Sequence, residues 1–221
     1  AVTKPTLYIR PYSSGSRVSQ LLLELNAGDL VETIEIPRET LTSDPEFLAR
    51  NPQALVPYFE DETGLQLIES SAIVLYILER YDTAGKMGPR PINSSSTTEE
   101  VAARAKLLQW VTYGPGTAWP TIVDLHVKQQ VKEGQTKDEK AIEELVEKWR
   151  KTVLKVLAQA LSDGRKYLMG DTFSAADVVL SADIMTAKYA GIPSLLDDPM
   201  VSAYVERIME RPSFKTTYPG F

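Results

Sequence analysis

The chain has 221 residues, a net charge of -6 and no cysteine. Its composition, 43% hydrophobic and 24% charged, is that of a globular protein able to bury a sizeable core, in one large domain or two small ones. The acidic balance argues against nucleic acid as a partner, the absence of Cys removes disulfides and cysteine nucleophiles, and a lone histidine removes a His-rich metal centre, so no metal is expected.

The longest apolar run, residues 72–78, is far short of the roughly 18 residues a membrane span needs. The opening Ala1-Val2-Thr3-Lys4 lacks the apolar core of a signal peptide. A cytoplasmic location with no membrane partner is therefore expected. A Ser-His-Asp triad would have to use His126.

In chain order, Leu7-Tyr8-Ile9 predicts a strand closed by Pro11, followed by a polar loop over residues 13–16. Val18, Leu21, Leu22 and Leu25 recur at helical spacing, and residues 31–36 alternate as a strand does. Asp44-Pro45 is an N-cap followed by a first-turn proline, predicting a short helix to Arg50. Residues 56–59 and 65–68 flank turn residues and predict a hairpin, and residues 70–81 an apolar helix. The order is βαβαββα, with the first strand pair parallel and right-handed and the last antiparallel.

Residues 83–98, TAGKMGPRPINSSSTT, cannot pack a core and predict a linker. Beyond it there is only helical patterning. Val101, Ala105, Leu108 and Val111 share one face, and Ile142, Leu145, Trp149, Val153, Val156 and Ala160 share another. Residues 174–189 and 198–209 predict two more helices, and residues 132–140 a solvated charged turn. The division is therefore 1–83, a linker at 84–98, and an all-α domain at 99–221.

Four segments together carry a family resemblance. They are Pro11-Tyr12-Ser13-Ser14-Gly15-Ser16-Arg17-Val18, Asn51-Pro52-Gln53-Ala54-Leu55-Val56-Pro57, Glu69-Ser70-Ser71-Ala72-Ile73 and Phe173-Ser174-Ala175-Ala176-Asp177. In this order they resemble a cytosolic glutathione transferase of the serine type, over nearly the whole chain. The resemblance implies an N-terminal thioredoxin-like βαβαββα domain followed by a C-terminal helical bundle, with glutathione as co-substrate and a symmetric homodimer. It implies conjugation of glutathione to apolar electrophiles, as in detoxification. Peroxidase, dehalogenase or ether-cleaving chemistry would use the same thiolate.

By the same resemblance, Val56-Pro57 is a cis peptide whose Val56 backbone pairs with the cysteinyl part of glutathione, a strand-like contact. Ser70, an N-cap where a helix end favours anions, would bind the γ-glutamyl carboxylate, and Glu69 the α-amino group. Gln53 and Leu55 adjoin the glycyl end. The family often has Gly-Lys where this chain has Ala54-Leu55, which removes one cation; Gln53, Arg38 or Arg50 are the residues placed to compensate.

The thiol must ionise, which needs about 2.7 kcal/mol of preferential thiolate binding for a fall of about two units. A loop hydroxyl serves as donor. Counting forward from Pro11 puts Ser13 in the slot, and counting back from Arg17-Val18 puts Tyr12 there, with Ser14 between; the order of preference is Ser13, Ser14, Tyr12. The electrophile site is expected among Tyr12, Trp110, Tyr113 and Trp119, beside a kink or break at Gly114-Pro115-Gly116. Trp110 also suits core packing, and Ser174 with Asp177 suits a capping box. The competing readings are a non-catalytic interaction module and a ligand carrier.

Overall fold

Four short strands form one mixed sheet in the order β2-β1-β3-β4, with β1 Thr6–Ile9, β2 Glu32–Glu35, β3 Tyr58–Glu60 and β4 Gln66–Leu67. The chain is seen here as a computed structural model that describes residues 4–131, 134 and 136–221. Ala1-Val2-Thr3 and residues 132, 133 and 135 of the charged turn lie outside the described residues. β1 and β2 are parallel, with Thr6 opposite Glu32 and Ile9 opposite Glu35. β1 with β3, and β3 with β4, are antiparallel, as the hairpin pattern predicts.

α1 (Ser16–Glu24) carries the chain from β1 to β2 and buries Val18, Leu21 and Leu22 against the sheet. Two helices, α2 (Arg38–Ser43) and α3 (Pro45–Arg50), follow β2. α3 starts as expected, with the Asp44 carboxylate accepting from the N–H groups of Glu46 and Phe47. α2 is not foreseen, because it buries only Leu41 and has no apolar stripe to read. α4 (Ser70–Tyr81) closes the first half.

The second half begins with α5 (Thr98–Tyr113), held by a Thr97–Glu100 capping box. Its buried stripe is Arg104, Leu107, Trp110 and Val111, which corrects the face through Val101 and Ala105. Arg104 occupies the inner stripe because its guanidinium donates to the Pro89 carbonyl at 2.9 Å and to Glu79 at 3.3 Å. A pattern of apolar residues cannot show that.

Of the kink or break expected at Gly114-Pro115-Gly116, the break does not occur. Gly114–Ala118 form one π-helical turn, and α6 (Trp119–Gln129) continues directly. A wide turn accommodates the missing N–H of Pro115 without ending the helix. Gly114 is needed for close packing, since a Cβ there would lie 2.7 Å from Val179. A second π turn, Arg150–Leu154, joins α7 (Glu139–Trp149) to α8 (Lys155–Leu161).

α9 (Ala175–Tyr189) is buried over most of its length. Asp177 accepts from the Ser174 N–H at 2.9 Å and its hydroxyl at 3.0 Å, the expected return half of the capping box. Its other oxygen accepts from Leu168 and Tyr204. α10 (Pro199–Met209) and the unforeseen short α11 (Pro212–Thr217) end the chain. The main apolar core runs from Leu7, Leu21 and Ile73 through Leu107 and Ile122 to Val179 and Phe214, so both halves share it. No described helix is long and apolar enough to cross a membrane.

Candidate functional site

Two clefts open at the carboxyl ends of the parallel strands, on either side of Trp119. The first is lined by Ser14, Arg17, Gln53, Leu55, Val56, Pro57, Glu69, Ser70 and Trp119, among others. Three separate segments of the first half converge there beside Trp119, which is the arrangement the family resemblance implies.

The loop after β1 turns back sharply at Gly15, where a Cβ would lie 2.7 Å from Ile9. Its hydroxyls are used differently. Ser13 Oγ donates to the Arg10 carbonyl at 2.6 Å and accepts from the Gly15 N–H at 3.2 Å, so it is tied up in its own turn. Ser13 also faces the second cleft. Ser14 lines the first cleft, and its Oγ donates to the Val56 carbonyl at 3.2 Å. Tyr12 sits at φ 57° and sends its hydroxyl to the Pro219 carbonyl at 2.8 Å, away from the first cleft.

The Val56-Pro57 bond is cis, as expected. Ala54, two residues earlier, is left-handed at φ 54°, a conformation that costs an Ala about 1–2 kcal/mol relative to the right-handed one. Asn51 Nδ2 donates to the Leu55 carbonyl at 2.7 Å and fixes this approach. The Leu55 side chain is 62% exposed, so no cation stands at the Ala54-Leu55 departure. Gln53 lines this cleft, Arg38 the second one, and Arg50 is engaged with Glu60 and Tyr8.

Glu69 is exposed and held at φ 68° just before α4, a strained non-glycine of the kind that clusters at binding sites. Ser70 is buried and is the first residue of that helix, with Glu69 in the capping position and no side-chain cap bond, which corrects the reading of Ser70 as the N-cap. Behind it lies Arg17, fully buried, a residue that the sequence reading used only as a register mark. Arg17 donates to Ser70 Oγ at 3.3 Å, to the Val179 carbonyl at 2.8 Å and to Asp183 at 2.9 Å, and lies over the Trp119 ring at 4.7 Å. Burial pushes the Asp183 carboxyl up from its ordinary range, and Arg17 pulls it back. One signal was legible: Arg17 is four residues before Leu21 and therefore on the buried stripe.

The second cleft, about 670 Å³, has the size of a small-molecule site. Trp119 and Tyr12 line it as expected. Trp110 and Tyr113 do not. Trp110 is buried, edge-on to Tyr113 at 5.4 Å, and the Tyr113 hydroxyl donates to the Thr152 carbonyl, its acidity suppressed by burial. Both lie on α5, ahead of the π turn, and pack in the main apolar core. Arg10, Met185, Tyr189 and Phe221, which the sequence does not single out, line the cleft together with His126. Among the described residues, no group of three or more His, Cys, Asp or Glu is placed to hold a metal.

Comparisons with known proteins agree with this geometry. The family model described as the N-terminal domain of glutathione S-transferase matches residues 7–89, and that described as its C-terminal domain matches residues 122–216. The chain is 35% identical over 174 residues to a probable glutathione S-transferase, GSTF1, of Oryza sativa subsp. japonica, covering 77% of this chain and 75% of that protein. It is 31% identical over 145 residues to the glutathione S-transferase-like protein LUC7 of a Fusarium species, covering 65% of this chain and only 59% of that one. A solved glutathione transferase from Burkholderia graminis, with two glutathione molecules bound per subunit, superposes with a TM-score of 0.81 at 25% identity, covering 98% of this chain and 88% of that one.

Proposed function

This chain belongs to the cytosolic glutathione transferase superfamily, and from that premise we propose that it is a serine-type transferase that activates glutathione in the first cleft. The observation that carries the reading is the convergence of the Ser14 hydroxyl, the Val56 backbone and the Ser70 helix start in one cleft. The donor set suits a γ-glutamyl tripeptide. Ser70, backed by buried Arg17, holds the γ-glutamyl carboxylate; Glu69 takes the amino group; the Val56 backbone pairs with the cysteinyl unit; Gln53 and Leu55 adjoin the glycyl end. In this reading residues 1–83 bind glutathione, 84–98 link, and 99–221 complete the electrophile site.

Ser14 acts as a hydrogen-bond donor. Its proton, now on the Val56 carbonyl, swings to the sulfur when the cysteinyl amide takes that carbonyl. Charge-assisted hydrogen bonds are about twice as strong as neutral ones, and the start of α1 adds a favourable dipole. Together they stabilise the thiolate over the thiol. An acceptor in the second cleft, across Trp119, is then attacked, within a cytoplasmic homodimer.

The exposed Leu55, standing where a lysine would help hold the glycyl carboxylate, and the short loop between Pro11 and Arg17 favour a non-catalytic interaction module. Calorimetric titration with glutathione separates the two. The transferase reading expects micromolar to millimolar binding that weakens at least tenfold in Ser70→Ala, together with conjugation of chlorodinitrobenzene. Absence of binding at millimolar glutathione contradicts it.

A further inference from the structure

The second cleft is unusual in its charges. In a chain of net charge -6, its lining holds two arginines, Arg10 and Arg38, and no Asp or Glu. Neither guanidinium makes an ion pair with any carboxylate among the described residues. The fold itself brings them together. Parallel pairing sets Ile9 opposite Glu35, and the Ile36 N–H donates to the Ile9 carbonyl at 2.9 Å. Arg10 and Arg38 therefore leave the carboxyl ends of neighbouring parallel strands, the edge of an α/β sheet where ligands bind. Ser13 reinforces the placement by tying the Arg10 carbonyl into the loop turn.

The same cleft carries an aromatic rim. The Tyr12 and Phe221 rings lie 6.2 Å apart, Phe221 and Tyr189 6.3 Å, and Tyr189 and His126 5.5 Å. Trp119 and Met185 form the inner wall. Tyr189 is 62% exposed and Tyr12 44%, more aromatic surface than a solvated helix end needs.

Resting on the transferase reading above, we infer that the second cleft selects an amphipathic acceptor, an aromatic or otherwise apolar electrophile that carries a carboxylate or sulfonate. The apolar body lies on the aromatic rim and Trp119, and the anionic group faces Arg10 and Arg38. In the step tested below, the glutathione sulfur bonds to the ring carbon that carries chlorine. The carbon–chlorine bond breaks, chloride leaves with the electron pair, and the thiol proton passes to solvent.

Two readouts decide the proposal. The first is the ratio of kcat/KM for chloronitrobenzoate to that for its neutral amide. The second needs no turnover and no glutathione: the ratio of affinities for anilinonaphthalene sulfonate and for N-phenylnaphthylamine, which lacks the sulfonate. An exposed charge pair contributes up to ~1 kcal/mol, about fivefold in affinity. The Arg10→Gln/Arg38→Gln double variant should therefore lower both ratios about tenfold. Arg150→Gln, on the far surface beside Glu147, should leave them unchanged. Added salt should weaken sulfonate binding and spare the neutral probe.

Ratios unmoved in the double variant overturn the proposal. So does an Arg38→Gln variant that raises the glutathione KM while leaving both ratios in place, since Arg38 would then serve the glycyl carboxylate. If glutathione does not bind but the double variant still shifts the dye ratio, the transferase reading fails and the anion-selective cleft stands.

Discussion

At the scale of single residues, the direction of a hydroxyl proton decides the chemistry. Ser13 and Ser14 are adjacent and chemically identical, yet Ser13 donates into its own turn and Ser14 across to Val56. Counting along the loop cannot separate them, because the fold of the loop, set by Gly15 against Ile9, determines which hydroxyl reaches the cleft. The segments Val56-Pro57 and Glu69-Ser70 were legible from their place in the family resemblance, although Ser70 begins α4 and does not cap it. Arg17 was legible only as a position on the buried stripe; its role was not, because a buried cation makes sense only with its partners Asp183 and Val179, more than 160 positions away. Removing Arg17 leaves Asp183 buried without its counter-charge, a loss of about 3–5 kcal/mol. The Arg17→Gln variant should therefore unfold at markedly lower urea. It should also raise the glutathione KM about tenfold with little change in kcat, a split that general destabilisation would not produce.

At the scale of elements, the β3–β4 turn shows how one carboxylate organises a hairpin. Asp61 accepts from the Thr63 hydroxyl, from the N–H groups of Thr63 and Leu65, and from the Tyr76 hydroxyl on α4. The Thr63 hydroxyl, with these other donors, holds the Asp61 carboxyl well below the usual range, against the opposing effect of burial. A depressed folded value means that the stabilisation is complete above the unfolded pKa of about 3.9 and is lost as pH falls through the folded one. Asp61→Asn should cost about 2 kcal/mol at neutral pH. The gap between wild type and variant in urea midpoint should narrow as pH drops below about 4, and a gap that widens there would refute this account. The long element α4 was legible from its apolar run, and α9 from its apolar run and capping box. α2 and α11 were not, being six residues each with one or two buried positions. The inner face of α5 was misread because Arg104 lies on it.

At the scale of the whole molecule, the two halves are joined through polar contacts as well as the shared core. Glu24 on α1 accepts from Arg211 at 2.7 and 2.6 Å and from Ser213 at 2.5 Å, and Arg211 lies 3.7 Å over the Phe173 ring. Arg17 makes the second join, and Tyr12 with Pro219 the third. These joins set Trp119 and the end of α9 against the loops that follow the strands, so each cleft draws on both halves. The domain order could be read from the sequence. Of the second cleft only Tyr12 and Trp119 could, since its other walls come from residues 10, 38, 185, 189 and 221, which no local pattern groups.

The most direct test is the ionisation of bound glutathione, followed by ultraviolet thiolate absorbance as pH is raised, in wild type, Ser14→Ala and Ser13→Ala. The account predicts a bound thiol pKa about two units below the free value of roughly 8.5 in wild type. It predicts a rise of at least one unit in Ser14→Ala and little change in Ser13→Ala. An unshifted pKa in wild type, or a shift that is lost in Ser13→Ala and kept in Ser14→Ala, would contradict it.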